Sequence, residues 1–234
     1  MRYLSELYSE ESFEPEDFSI YNPGKEIAVI SLYTDEISGY AIYSEKNIKD
    51  YCFKQGYTFY VYRKSLDAGS SPNWSKARAI LNHINDHKDI VWMDSDTLIF
   101  NPGKKFEHIL SRCSPTKKII ACEDIGTNNK NIPKGSMFNS GVLILRNHEY
   151  TKNIIKKWMN FEGDKSSLYA SGGDQEILCN ILKKSDGFGH NRKIFPMNEF
   201  NTEPRMINHE TFIVHFMAFP YELKKLFMMY FVSS

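Results

Sequence analysis

The sequence predicts an α/β fold, a single domain with a central, mainly parallel sheet flanked by helices. Two observations predict it. The apolar runs are continuous, as in strands buried on both faces, and lack the in/out alternation of half-exposed ones. Between residues 26 and 96 these runs take turns with segments of helical spacing. "EIAVISLY" (26–33) is the first strand, and 38–55 a helix whose packed side would offer Ala41, Ile42, Ile48, Tyr51 and Cys52. After Gly56, "YTFYVYR" is the second strand; Trp74, Ala77, Ile80, Leu81 and Ile84 then mark a helix over 74–86, and "DIVWMDSD" is the third strand. "KKIIACED" (117–124) and "SGVLILR" (140–146) read as further strands, separated by the polar loop "TNNKNIPKGS", long enough to line a site. Residues 148–160 and 174–184 read as helices, "TFIVHF" as a late strand and 220–231 as a closing helix. The expected organisation is an N-terminal extension (1–25), a core over about 26–217 and the C-terminal helix, with no internal repeat or linker.

Bulk properties narrow the function. A chain of 234 residues buries a full core without staples. Its 29 basic and 29 acidic residues cancel, so no global field draws it to nucleic acid or anionic lipid, and an anionic ligand must be bound locally. Cys52, Cys113, Cys122 and Cys179 form neither a CxxC pair nor a compact secreted pattern, so free thiols in a reducing compartment are expected. "MRYLSELYSEESFEPEDF" is acidic and lacks the apolar stretch of a signal peptide. The greasiest segment, "FIVHFMAFPYELKKLFMMYFV", is interrupted by Pro220, Glu222, Lys224 and Lys225, so no transmembrane anchor is expected.

"IVWMDSDTLIF" (90–100) finishes an apolar run with two carboxylates, Asp94 and Asp96. Side by side at the edge of a core, they are costly unless a cation or hydrogen-bond donors compensate them. Ligands of open α/β sheets bind beyond the carboxyl ends of the strands. In extended chain, residues i and i+2 project to one side, so Asp94 and Asp96 would face one ion while Ser95, between them, points away. Such oxygen ligands suit Mg²⁺ or Mn²⁺, with water and phosphate oxygens in the remaining positions. The alternative is an acidic surface turn before "NPG".

"GGDQEIL" (172–178) leads two glycines into a helix. Asp174 as its cap and Glu176 as a partner of its dipole would explain the acids, whereas the glycines would let backbone approach a ligand. His215 sits in a strand whose Phe212, Val214 and Phe216 can face a core. It is either a satisfied structural residue or a nitrogen ligand, and the latter favours Mn²⁺ over Mg²⁺. Lys76 and Arg78 of "NWSKARAI" could each pair a diphosphate or simply be solvated. His83 and His87 lack the glutamate of HExxH, and no GxxxxGK[ST], GxGxxG or GxSxG occurs, so ATPase and dinucleotide-oxidoreductase readings lose their main support.

In that order, "VWMDSDTLIFNP", "FNSGVLILRN", "GGDQEIL" and "VHF" resemble the metal-dependent retaining glycosyltransferases of the GT-A fold. The nearest group is the galactosyl-, xylosyl- and mannosyltransferases of fungal Golgi and plant xyloglucan synthesis; glycogenin-like and bacterial galactosyltransferases are further off. The resemblance implies a Rossmann-like GT-A domain in which Asp94 and Asp96, the DxD pair, hold the metal with His215, and the metal binds the diphosphate of a nucleotide-sugar donor. It implies that Lys76 approaches the phosphates, with Ser95 beside the pair, and that Ser31, Tyr33 and Thr34 meet the base and ribose. Asn139 and Ser140 would border the donor sugar with Asp124 nearby, Asp174 would bind sugar hydroxyls, and Gln175 would face the reacting carbon. The implied reaction moves a hexose or pentose from a nucleotide-diphosphate sugar, UDP- before GDP-, to a hydroxyl of a glycan acceptor with retention. Eukaryotic members carry a membrane anchor; a bacterial or viral cytoplasmic enzyme is expected here.

Two other classes remain open at this point. "DSDTL" is close to the DxDx[TV] string of haloacid-dehalogenase-like phosphohydrolases, although its hydroxyl residue falls one place early. A nucleotide- or glycan-binding module that has lost turnover would keep the same fold.

Overall fold

The computed structural model describes residues 16–124, 137–186 and 189–233. Its strands and helices begin with β1 (Phe18–Tyr21), β2 (Ile27–Leu32), α1 (Ser38–Gln55), β3 (Thr58–Tyr62), α2 (Ser75–His83), β4 (Asp89–Met93) and β5 (Thr97–Ile99). They continue with α3 (Phe106–Ser111), β6 (Ile119–Cys122), β7 (Asn139–Arg146), α4 (Glu149–Met159), α5 (Gly173–Ser185), β8 (Arg192–Phe195), β9 (Ile213–His215) and α6 (Tyr221–Ser233). The expected loop over 127–136 and the acidic stretch 1–15 lie outside the described residues.

Seven strands form one sheet in the order β1-β3-β2-β4-β7-β6-β8. β3, β2 and β4 run parallel, as do β6 and β8. β7 is antiparallel to both of its neighbours, and β1 is antiparallel to β3. Apolar continuity reports only that both faces are covered, so it could not tell reversed β7 from its parallel neighbours: seven of the eight residues of β7 are buried, the same pattern as β2 and β4.

Successive residues feed two cores. On one face Val29, Val91, Val142 and Ile144 pack with Ala41, Ile48 and Cys52 of α1. On the other, Ala28, Ile30, Ile90 and Trp92 pack with Ala77 and Ile80 of α2, Trp158 of α4 and Leu178 of α5. Ile42, expected on the packed side of α1, is instead 47% exposed. One residue further on, a helix has turned about 100° away from the face that Ala41 and Ile48 share.

Two features position the end of β4. β5 pairs antiparallel with β9 as a separate two-stranded sheet, Thr97 opposite His215. α6 lies across α1, with Tyr221 edge-on to Tyr40. The stretch 18–21, expected within an extension, is the edge strand β1; its four half-exposed or exposed residues carry too little apolar pattern to announce a strand.

Candidate functional site

β4 ends at Met93, and the chain then turns, with Thr97 N–H donating to the Asp94 carbonyl (3.1 Å). The turn, and not the strand alternation expected from the sequence, is what brings Asp94 and Asp96 to one side. Asp94 remains docked on β7 through its N–H to the Gly141 carbonyl (2.7 Å). His215 arrives from β9. Its Nε2 lies 3.1 Å from Asp96 Oδ1 and 4.0 Å from Asp94 Oδ2, and the three groups offer ligand atoms all within 4.8 Å of one another. The imidazole is buried, and a Cβ at Gly141 would collide with its Cε1 and Nδ1, so only glycine leaves room for it.

Cationic groups surround the carboxylates. Lys76 Nζ, buried beneath the site, is 3.0 Å from Asp94 Oδ1 and 3.3 Å from Asp174 Oδ2, and it donates to the carbonyl and hydroxyl of Ser140, each at 3.2 Å. Lys224 of α6 donates to Asp96 Oδ2 (2.6 Å), and Trp92 Nε1 donates to Asp94 Oδ1 (2.7 Å). Burial alone would discharge Lys76, yet Asp174 and Asp94 raise its ammonium above the ordinary value. Burial pushes Asp94 up against the pull of Lys76 and His215. At Asp96 burial is outweighed by His215 and Lys224, which hold its carboxyl well below the usual range. Two carboxylates and an imidazole within one coordination sphere, on oxygen and borderline nitrogen, fit a Mn²⁺- or Mg²⁺-class ion.

The neighbouring residues come from β7 and α5. Gln175 accepts from Ser140 N–H (2.7 Å) and donates to Asp124 Oδ2 (2.9 Å); Asn139 donates to Asp124 Oδ1 (3.1 Å). Asp174 does not cap its helix: Asn73 donates to its Oδ1 (2.9 Å), and Lys76 pairs with its Oδ2 without hydrogen-bond alignment. Asp174 Oδ2 and Asn73 Oδ1 are buried and accept no hydrogen bond. Gly172 and Gly173 have φ of +87° and +88°, so their conformation, before any ligand's approach, requires glycine. Arg78 turns away to Asp67 (2.6 Å).

Ser31, Tyr33 and Thr34 lie at the end of β2, the strand paired with β4. Ser31 and Tyr33 are buried at the end of β2, the Tyr33 hydroxyl donating to Glu45 Oε2 (2.7 Å) and accepting from Arg63 Nε (3.1 Å), while Thr34 is half-buried. A groove of about 810 Å³ lies there, lined by Tyr21, Tyr33, Ile42, Lys46, Lys49 and Arg63 among others. Ser95 is buried within the turn. The sequence reading missed Asn73, Lys224, Asn201 and Tyr40, which stand beside the site through tertiary packing. Lys224 sits 5.3 Å over the Tyr40 ring, and nothing in local spacing marks either residue.

The model of the galactosyl transferase GMA12/MNN10 family matches residues 29–218. Among solved structures, a glycosyltransferase involved in glycosylation of the major capsid of PBCV-1 is similar over 87% of this chain and 98% of that one, with a TM-score of 0.67 at 15% identity. The galactosyltransferase LgtC in complex with donor and acceptor sugar analogs is similar over 88% and 95%, with a TM-score of 0.52 at 12% identity. Mouse xyloside xylosyltransferase 1 is similar over 82% and 98%, with a TM-score of 0.51 at 9% identity. No curated relative matches the chain.

Proposed function

We propose, from the premise that this chain belongs to the galactosyl transferase GMA12/MNN10 family and is a GT-A glycosyltransferase, that it moves a hexose or pentose from a UDP-sugar to a glycan hydroxyl in a metal-dependent, retaining reaction. The observation that carries the metal dependence is the convergence of Asp94, Asp96 and His215 at the end of β4. Family membership sets aside the phosphohydrolase reading of "DSDTL". Among the described residues no helix is long and apolar enough to cross a membrane. All four cysteines are buried free thiols, which suits a reducing, cytoplasmic setting.

Asp94, Asp96 and His215 would hold Mn²⁺, or Mg²⁺. When bound, such an ion neutralises charge developing on a departing diphosphate. Lys76 and Lys224 flank the carboxylates and add positive charge where phosphates would lie. Asp174 Oδ2 and Asn73 Oδ1, which accept no hydrogen bond, suit sugar hydroxyls, which bring donors. Gln175 is held by Ser140 and Asp124 at both ends of its amide. A neutral amide is a weak nucleophile, which favours same-face displacement over a covalent intermediate, with a phosphate oxygen of the donor taking the acceptor's proton.

The test is thermal unfolding of the protein with UDP-galactose, UDP-glucose, UDP-xylose and GDP-mannose, each with and without Mn²⁺, followed by product analysis with glycan acceptors. A donor at one hundred times its dissociation constant stabilises by about 2.7 kcal/mol. The expected outcome is stabilisation by a UDP-sugar that requires Mn²⁺, with sugar transfer. Mn²⁺-dependent binding with neither transfer nor hydrolysis would instead make this a binding module, and nucleotide binding indifferent to Mn²⁺ would remove the metal from the reaction.

A further inference from the structure

We infer that Asn201 is the positioning residue that fixes the tautomer of His215, so that the Nε2 lone pair, and not a proton, faces Asp94 and Asp96. The inference rests on the metal reading above for its purpose, but its geometry stands alone. The backbone N–H of Gly141 donates to Asn139 Oδ1 (2.8 Å), so that atom of the Asn139 amide is the oxygen and its nitrogen faces Asp124. The same oxygen accepts from Asn201 (2.9 Å), so the Asn201 atom pointing at it must be the nitrogen. Asn201 therefore turns its oxygen to His215 Nδ1 at 3.0 Å, and an amide oxygen can only accept, so Nδ1 carries the proton.

With Nδ1 protonated, Nε2 carries a proton towards Asp96 Oδ1, 3.1 Å away, only while the ring is cationic; in the neutral ring Nε2 is bare. The carboxylate alone would favour the opposite tautomer, with Nε2–H donating to Asp96. Asn201 opposes that preference from the far side of the ring. It is fully buried, and the backbone around it is tied to β9: Thr202 N–H donates to the Ile213 carbonyl (3.0 Å), and His215 N–H donates to the Thr202 carbonyl (2.9 Å). The amide cannot swing away without giving up its bond to Asn139 Oδ1 in a fully buried place. A buried asparagine that merely satisfies itself would be a structural residue; one that decides which ring nitrogen is bare sets how tightly a cation can be ligated.

The test uses the full chain, metal-free at pH 8, labelled with ¹⁵N-histidine, the His215 signals being identified by their loss in His215→Gln. Wild type is expected to show Nδ1 protonated and Nε2 bare. Asn201→Leu should move the proton to Nε2 and weaken Mn²⁺ binding, read by calorimetric titration, by about 10- to 100-fold. Asn201→Asp keeps an acceptor beside Nδ1 and should retain the wild-type tautomer and most of the Mn²⁺ affinity. The inference is overturned if wild-type His215 carries its proton on Nε2, or if folded Asn201→Leu keeps the tautomer and binds Mn²⁺ within two-fold of wild type. The wild-type spectrum decides even where a variant does not fold. Wild type with bare Nε2 but no affinity for Mn²⁺ would sink the metal reading and leave the tautomer assignment standing.

Discussion

Two charged clusters sit just beyond the carboxyl ends of β3 and β4, the strands on either side of β2, and they are built on opposite principles. Beyond β3, Arg63 is enclosed by acceptors: Nε donates to Tyr33 and Glu45, one terminal nitrogen to the Glu16 carbonyl and Ser19, and the other to Tyr21 and Glu45. Both Glu45 oxygens are engaged, and the ion pair is largely buried, with side-chain exposures of 7% and 13%. Beyond β4, Lys76, Lys224 and Trp92 pair with the carboxylates of Asp94, Asp96 and Asp174, yet an acceptor of Asp174 goes without a hydrogen bond and a histidine nitrogen faces two carboxylates. A closed network, in which donors and acceptors match, holds a fold together. An open one, with acceptors to spare, is arranged for something that arrives.

That contrast is broken or upheld most sharply by paired substitutions. Arg63→Met leaves Glu45 charged and unpaired in a largely buried place, so unfolding free energy should fall by about 3 kcal/mol or more in denaturant titration. Mn²⁺ affinity should stay unchanged. Asp96→Asn removes a repulsion from Asp94 together with the pairing to Lys224, so its stability cost should be less than half of that, while Mn²⁺ affinity drops at least about 100-fold by calorimetry. Equal stability losses, or a loss of Mn²⁺ binding in Arg63→Met, would mean that the two clusters do not divide the labour between structure and binding.

The same division explains what could be read in the sequence. β2, β3 and β4 announce themselves because both their faces are covered, and Asp94 with Asp96 stands out because charge ends an apolar run. The Arg63 cluster is silent: Tyr21, Tyr33, Glu45 and Arg63 come from four separate elements or loops, and each alone is an ordinary residue. Lys224 and Asn201 are silent for the same reason, since their meaning lies in atoms that face them across the fold. Asp174 stands out in the sequence, but helix capping explains it equally well there, because Asn73, which holds it, is 101 residues away in the chain. β8, with the half-exposed Arg192, Lys193 and Ile194, has no pattern to offer a reader.

A second closed cluster sharpens the comparison by pH. His83 stacks on Tyr60 with ring centroids 3.7 Å apart, and its Nε2 is 2.7 Å from the Tyr62 hydroxyl. Burial, with His87 nearby, pulls its pKa from 6.5 down to about 4. The unfolded chain then takes up a proton that the folded chain refuses, so this contribution to stability is complete above pH 6.5 and is lost progressively as pH falls towards 4. His83→Gln should flatten that limb of the stability profile, measured by denaturant titration between pH 7 and 4, and leave Mn²⁺ affinity at pH 8 where it was. An unaltered acid limb would show that His83 is as readily protonated in the fold as outside it.

The smallest expected effect bears on the join between the two kinds of region. Ala218 has φ of +59°, in the left-handed range that a Cβ disfavours, in the turn that carries the chain from His215 on β9 to Lys224 on α6. The turn is closed by Phe219 N–H donating to the Phe216 carbonyl (3.1 Å). Glycine adopts this conformation freely, and relief of the strain should exceed the extra entropy that glycine gives the unfolded chain, so Ala218→Gly should stabilise by about 0.5–1 kcal/mol. For a chain of this size that is a rise of about 1–4 °C in Tm. His215 is anchored by its own N–H to Thr202 and its ring to Asn201, not by this turn, so Mn²⁺ affinity should be unaffected. A variant that gained stability while losing Mn²⁺ affinity would show that the strained turn belongs to the open cluster, with the backbone at Ala218 holding Lys224 or His215 in place at a cost to the fold.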